Sequence, residues 1–260
     1  MSTVFVTLCD KSYYERACRT IQELREYGEW TGDIVVIAVD FTPEPVANVI
    51  LYTVSHIDTR ELLAKHMASP IYCDAENDRR HLYKLYQWDK LQVFKPFFRQ
   101  WERIVFLDAG HRVFDKVQPL LDLDWRGKFI APDDADFHDN GKRFKVQMDF
   151  NSNPAVTELL FSNYSEDILE KRYFLNCMFM YDTSLLDRVS FEELEAEMNK
   201  YPIAYSNEMA IMNLIFTFKL QVWSPLPMKL GDKFLFGWCE YNYPGTSWKN
   251  FHFIKYSVTR

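Results

Sequence analysis

The 260-residue sequence predicts an α/β fold with a single, mostly parallel central sheet flanked by helices, and three observations carry that prediction. Apolar runs alternate with amphipathic helical stretches through the first third, the pattern of a parallel sheet covered by helices with right-handed crossovers. One apolar run, Arg103-Ile104-Val105-Phe106-Leu107, ends abruptly in Asp108-Ala109-Gly110, and a polar group at a strand's C-terminal end is where open α/β sheets bind ligands. The length fits one large domain, which buries roughly three quarters of its unfolded surface.

The elements follow in order. Residues 4–9 read as a strand, 13–27 as a helix with Ala17, Ile21 and Leu24 on one stripe, and 34–39 as a second strand. A short strand at 49–52 precedes a helix over 59–67, and residues 69–82 are polar and irregular. The next helix, 83–101, turns Leu85, Leu91, Phe94 and Phe98 to the core and breaks at Pro96. Beyond Asp108, a turn leads into a short helix at 117–121 and a strand at 129–131. Residues 132–154, dense in Asp, Asn and Gly, read as a long loop, and loops of that length are commonly functional. The second half holds a strand over 173–181, helices over 190–200 and 207–217, and a short strand at 220–223. From Pro225 the chain reads as an aromatic, loop-rich wall carrying Trp238, Tyr241, Tyr243 and Trp248.

Composition excludes some functions. A net charge of −7 and the lack of a basic stripe argue against nucleic acid as a partner, because phosphate tracks need clustered Lys and Arg. Arg79-Arg80 and Lys142-Arg143 are isolated pairs. No run is long enough to span a bilayer, and the strand-like run at residues 4–8 shows no basic, apolar and small-residue progression, so a signal peptide is not expected. Five cysteines (Cys9, Cys18, Cys73, Cys177 and Cys239), odd in number and without CxxC spacing, suggest free thiols and a cytoplasmic location, where the sequon Asn163-Tyr164-Ser165 has no consequence. Neither a GxGxxG after the first strand nor a GxxxxGK[ST] is present, so a bound diphosphate must be handled otherwise. A divalent cation held by carboxylate and imidazole is one such strategy.

Several positions taken together resemble a known family. Val6-Thr7-Leu8 with Tyr13 and Ala17, Lys90-Leu91, the run ending at Gly110, Leu175-Asn176-Cys177, Glu208 with Asn213, and His252-Phe253 are similar in order and rough spacing to glycogenin-type glycosyltransferases. The resemblance spans nearly the whole chain and implies one GT-A domain over 1–260, with a nucleotide-binding half (1–110) and a sugar- and acceptor-binding half (111–260). It implies transfer of a hexose from a nucleotide diphosphate sugar, UDP-linked, to a hydroxyl of a glycan or protein acceptor, with retention of anomeric configuration.

The same resemblance supplies candidate residues. Thr7, Leu8 and Tyr13 fall where the family holds the nucleoside, although Leu8 also reads as plain core. Lys90 matches a lysine that approaches the phosphates, with Lys84 and Lys95 as alternatives. Asp108 and His252 are the implied ligands of Mn²⁺ or Mg²⁺, and Gly110 stands where the family's Asp-x-Asp motif has its second acid. At an effective dielectric near 20 a unit charge pair about 4 Å apart is worth roughly 4 kcal/mol, doubled for a divalent ion, so the cation is expected to bind well only with the nucleotide present. Lys255 occupies a family glycine position within reach of a phosphate, and Asn176 matches a residue that contacts the donor sugar. Glu208 falls where the family has an Asp near the reacting sugar, and its role as base, nucleophile or hydroxyl anchor stays open. Two further readings stay open as well: an inactive nucleotide-sugar-binding module, for which Gly110 speaks, and a sugar nucleotidyltransferase, although Cys9-Asp10-Lys11-Ser12 is not the Gly-rich basic loop that chemistry uses.

Overall fold

The computed structural model describes residues 2–67, 84–137, 142–238 and 247–255. The irregular stretch at 69–82, Arg79-Arg80, Cys73, Cys239, Tyr241 and Tyr243 lie outside them, as do residues 138–141 of the long loop.

The strands are β1 (Thr3–Cys9), β2 (Asp33–Val39), β3 (Ile50–Val54), β4 (Arg103–Leu107), β5 (His111–Val113), β6 (Phe129–Ala131), β7 (Met178–Asp182), β8 (Trp223–Pro225), β9 (Lys229–Leu230), β10 (Lys233–Trp238) and β11 (Phe251–Lys255). The helices are α1 (Tyr14–Glu26), α2 (Arg60–Met67), α3 (Gln118–Leu121), α4 (Pro154–Asn163), α5 (Phe191–Lys200) and α6 (Glu208–Asn213). Seven strands form the main sheet in the order β3-β2-β1-β4-β7-β6-β8. All are parallel except β7, which runs against both β4 and β6.

The expected mostly parallel sheet is therefore present, and its strands are apolar on both faces for a visible reason. On β1, β2, β4 and β7 successive residues alternate between two cores: Val4, Val6, Val35, Ile37, Ile104, Phe106, Phe179 and Tyr181 face one, and Phe5, Ile34, Val36, Val105, Leu107, Met178 and Met180 the other. Helix α1 covers the second core with Ala17, Ile21 and Leu24, the stripe expected from spacing.

Several elements differ from expectation. The helix predicted over 83–101 is two 3-10 runs, Leu85–Phe94 and Pro96–Gln100, separated at Lys95, whose extended backbone is what a residue before proline prefers. The strand predicted over 173–181 begins only at Met178; residues 173–177 instead cross the sheet end, with Phe174 bridged to Asp133. Helix α6 continues as a π-helical segment, Leu214–Lys219, and β8 starts at Trp223. Helix α4 lies in a stretch without an amphipathic stripe, and no periodicity announces it.

The largest correction concerns the tail. Among its described residues the tail supplies three strands, β9, β10 and β11, which join β5 in a second sheet in the order β5-β11-β10-β9, in place of the expected loop-rich wall. This sheet places His111 of β5 opposite Lys255 of β11, directly after the strand end that carries Asp108.

Candidate active site

Asp108 leaves the end of β4 with its backbone N–H donating to Cys177 O at 2.9 Å, so the start of the reversed β7 meets the end of β4. That antiparallel meeting brings Asn176 beside Asp108. Gly110 lies in the turn that follows, at φ +91°, a left-handed conformation that a residue with a Cβ rarely adopts. The place of the second acid is thus a backbone position that selects glycine.

Lys90 is carried by the first 3-10 run and is nearly fully buried. Its neighbour Asp89 fixes that run: the Asp89 carboxylate accepts from Ile57 N (2.9 Å) and Gln92 Nε2 (2.7 Å), and lies 2.6 Å from His56 Nδ1. Lys90 Nζ lies 3.0 Å from Asp108 Oδ1 and 3.1 Å from Glu208 Oε1, and donates to Asn176 O at 3.1 Å and Oδ1 at 3.2 Å. Asn176 Nδ2 in turn donates to Glu208 Oε1 at 2.9 Å. Lys84 is exposed, and Lys95 donates to Gln92 Oε1 and stacks over Phe191, so Lys90 alone of the three candidate lysines joins this cluster.

Glu208 opens α6 directly after Asn207, whose φ of +54° is uncommon for a non-glycine residue. Asn207 Nδ2 donates to Lys84 O and Gln87 Oε1, which ties the helix start to the Lys90 segment. Asn213, at the other end of α6, grips the crossing segment: its Oδ1 accepts from Phe174 N and its Nδ2 donates to Phe174 O, each at 3.0 Å.

Charge and burial oppose one another here. Burial disfavours the Lys90 ammonium, but Asp108 and Glu208 outweigh it and hold Lys90 protonated, above the ordinary lysine value. Burial likewise pushes Asp108 up, and the ammoniums of Lys90 and Lys255 outweigh it, so its carboxyl sits below the usual range. For Glu208 burial wins and its pKa is raised, with Lys90 and Asn176 offsetting only part. Among the described residues Glu208 Oε2 is buried without a hydrogen-bond partner, placed to meet a hydroxyl.

Lys255 completes the cluster. Its Nζ lies 3.4 Å from Asp108 Oδ2 and donates to Ala109 O at 3.2 Å. His111 is a member that no sequence pattern singles out; its Nδ1 lies 3.0 Å from Asp108 O as donor to that carbonyl, and burial, then the Lys255 charge, lower its pKa to about 3. The ring is therefore neutral.

His252 goes elsewhere. On β11 side chains alternate, and Lys255 points to Asp108, so His252 three residues earlier points to the opposite face, where its Nδ1 meets Lys116 O at 3.0 Å. The implied pairing of Asp108 with His252 around a cation is not assembled. Among the described residues no group of three or more His, Cys, Asp or Glu side chains is placed to hold a metal. The carboxylates of Asp108 and Glu208 are already balanced by the ammoniums of Lys90 and Lys255, so a divalent ion beside Asp108 would meet two like charges at close range and no uncommitted carboxylate pair. The residues present do not fit a metal.

Lys90, Asp108, Asn176 and Glu208 line a cavity of about 480 Å³ together with Asp134, Tyr173, Gln147, Tyr205, Ser206 and Trp238, and Lys255 and His111 stand behind Asp108 outside that lining. Asp134, Lys142, Val146 and Gln147 come from the long loop and Trp238 from the tail. A larger cavity, about 930 Å³, opens near the β8 edge between Tyr164, Tyr201 and Trp223, but it holds none of the Lys90 cluster. Volume alone does not select an active site; converging buried charges do. Thr7, Leu8 and Tyr13 do not line the smaller cavity: Thr7 is buried, Leu8 packs on the first core, and Tyr13 is exposed beneath the Arg16 guanidinium.

No family model and no curated protein matches the chain. Solved structures do. An active-site mutant of LgtC is similar over 98% of this chain and 88% of its own, at 13% identity and a TM-score of 0.61. WbbM, a bifunctional glycosyltransferase, matches over 99% of this chain and 46% of its own (15% identity, TM-score 0.59). Core-mannan synthase A (CmsA/Ktr4) from Aspergillus fumigatus, solved in a Mn/GDP form, matches over 87% of this chain and 73% of its own (9% identity, TM-score 0.53). LgtC, a galactosyltransferase, has also been solved in complex with donor and acceptor sugar analogues. These neighbours are GT-A-type glycosyltransferases, and the chain shares their fold.

Proposed function

We propose that this chain is a glycosyltransferase that moves a hexose from a nucleotide diphosphate sugar, UDP-linked, to a hydroxyl of a glycan or protein. The observation that carries the reading is the cluster of buried Lys90, Asn176 and Glu208 with half-buried Asp108 at the meeting of β4 and β7, in a cavity at the strand ends. Residues 1–110 supply Lys90 and Asp108 on the nucleotide side, and 111–260 supply Asn176, Glu208 and Lys255 on the sugar and acceptor side. Lys90 places positive charge where a departing diphosphate accumulates negative charge. Asn176 and the open Oε2 of Glu208 orient sugar hydroxyls, and the acceptor enters along Gln147, Tyr205 and Trp238. The likeness to glycogenin supports retention of configuration, with the departing phosphate available as base on the same sugar face. The Mn²⁺ or Mg²⁺ implied by that likeness is left out of the reading, since the residues here do not gather around it.

Cys9, Cys18 and Cys177 are free thiols, which supports a cytoplasmic location, and among the described residues no helix is long and apolar enough to cross a membrane. Incubation with a panel of nucleotide sugars, followed by assay of released UDP or GDP, tests the proposal. Turnover is expected with a UDP-sugar and is expected to fall by about 10²-fold or more in Lys90→Met, the usual scale for one lost transition-state charge contact. UDP binding without release from any donor marks a binding module instead.

A further inference from the structure

We propose that the Lys255 ammonium occupies the role of a divalent cation in this site, so that a nucleoside diphosphate is held through Lys255 and Lys90 without metal. The inference rests on the nucleotide-sugar reading above and goes beyond it by assigning the counter-charge.

Four observations converge. The second acid of a metal motif is replaced by Gly110, in a turn whose φ of +91° disfavours any carboxylate-bearing residue. The imidazole that would complete the ligand set, His252, faces away and is engaged at Lys116 O. Lys255 Nζ is already seated on the free oxygen of Asp108, Oδ2, and on Ala109 O. An ammonium has three protons, so a seat on two acceptors leaves one for a ligand. Finally, Asp108 and Glu208 balance Lys90 and Lys255, so an entering diphosphate meets a neutral cluster in which Lys255 offers a proton and Lys90 adds its charge, and no dication is needed to prevent anion from meeting anion.

Lys255 is held by the smaller sheet, opposite His111 in the β5–β11 ladder. The neutral His111 ring adds no third positive charge. Asp108 is then a positioning residue: it fixes both ammoniums and does not ligate a metal.

Calorimetric titration of the full chain with UDP, and separately with GDP, in EDTA and in Mn²⁺, decides the matter. Affinity in EDTA is expected to lie within about twofold of that in Mn²⁺. Lys255→Met is expected to weaken binding in EDTA about tenfold to a hundredfold, the scale of one charge-assisted hydrogen bond, with no recovery in Mn²⁺. Lys255→Arg, which keeps the charge, is expected to retain most of the affinity. Binding that requires Mn²⁺, or Lys255→Met binding as wild type in EDTA, overturns the assignment while leaving the glycosyltransferase reading intact. Failure of both nucleotides in both buffers overturns the two together. Should Lys255→Met not fold, the wild-type comparison of EDTA with Mn²⁺ still decides.

Discussion

Lys90 joins the half-buried carboxylate of Asp108 and the buried carboxylate of Glu208, and its loss should be felt in stability as well as turnover. Lys90→Met leaves the buried Glu208 without a cation and Asp108 with Lys255 alone, and removing one member of a buried ion cluster costs about 3 kcal/mol or more. Urea denaturation should show that loss, and adding Glu208→Gln should recover part of it, because the second change removes one unpaired charge. His111 offers a separate signature. Its folded pKa of about 3 lies below the ordinary 6.5, so the unfolded chain takes up a proton that the folded chain refuses. Stability contributed by the neutral ring is present above pH 6.5 and is lost as pH falls toward 3, at up to about 1.4 kcal/mol per unit. Urea midpoints of wild type and His111→Gln at pH 7 and pH 5 should show a shallower acid loss in the variant.

At the scale of elements, the site depends on how segments end. Asn213 satisfies both backbone groups of Phe174, and Asn213→Leu leaves a buried N–H and C=O unpaired, so a loss of about 2 kcal/mol or more is expected in thermal or chemical unfolding. Helix α5 begins in a reciprocal cap, Ser190 Oγ accepting from Glu193 N and Glu193 Oε2 from Ser190 N, and Ser190→Ala should cost about 1 kcal/mol without touching nucleotide affinity. Legibility in the sequence follows the same logic. Strands β1, β2 and β4 are buried on both faces and therefore spell continuous apolar runs, which is why Asp108 stands out at the end of one. The strands of the smaller sheet are short, and β9 to β11 carry Lys229, Lys233 and Lys255 among their aromatics; their pairing with β5 joins residues remote in sequence, so no local pattern announces them. His252 and Lys255 show what that hides: residue types are visible in the chain, but the pairing with β5 decides which of the two looks toward Asp108.

Across the whole molecule, the two cores are divided by the main sheet, and the first is dominated by stacked rings. Phe129 lies at its centre, with ring centroids 4.5 Å from Phe216, 4.8 Å from Phe174 and 5.0 Å from Phe179. Phe129→Ala should destabilise the fold by about 3–5 kcal/mol, measured by denaturation. Phe174 belongs both to this ring cluster and to the segment gripped by Asn213, so the same variant should also weaken UDP binding, although Phe129 does not line the cavity.

The strand that seats Lys255 is the last of the described strands, whereas Asp108 follows the fourth. Synthesis delivers the chain from its amino end, so on the ribosome that carboxylate emerges long before the ammonium destined for it. Until β11 docks against β5, Asp108 lacks the Lys255 ammonium that it meets in the finished protein, and the cleft carries a different charge from the one that it ends with.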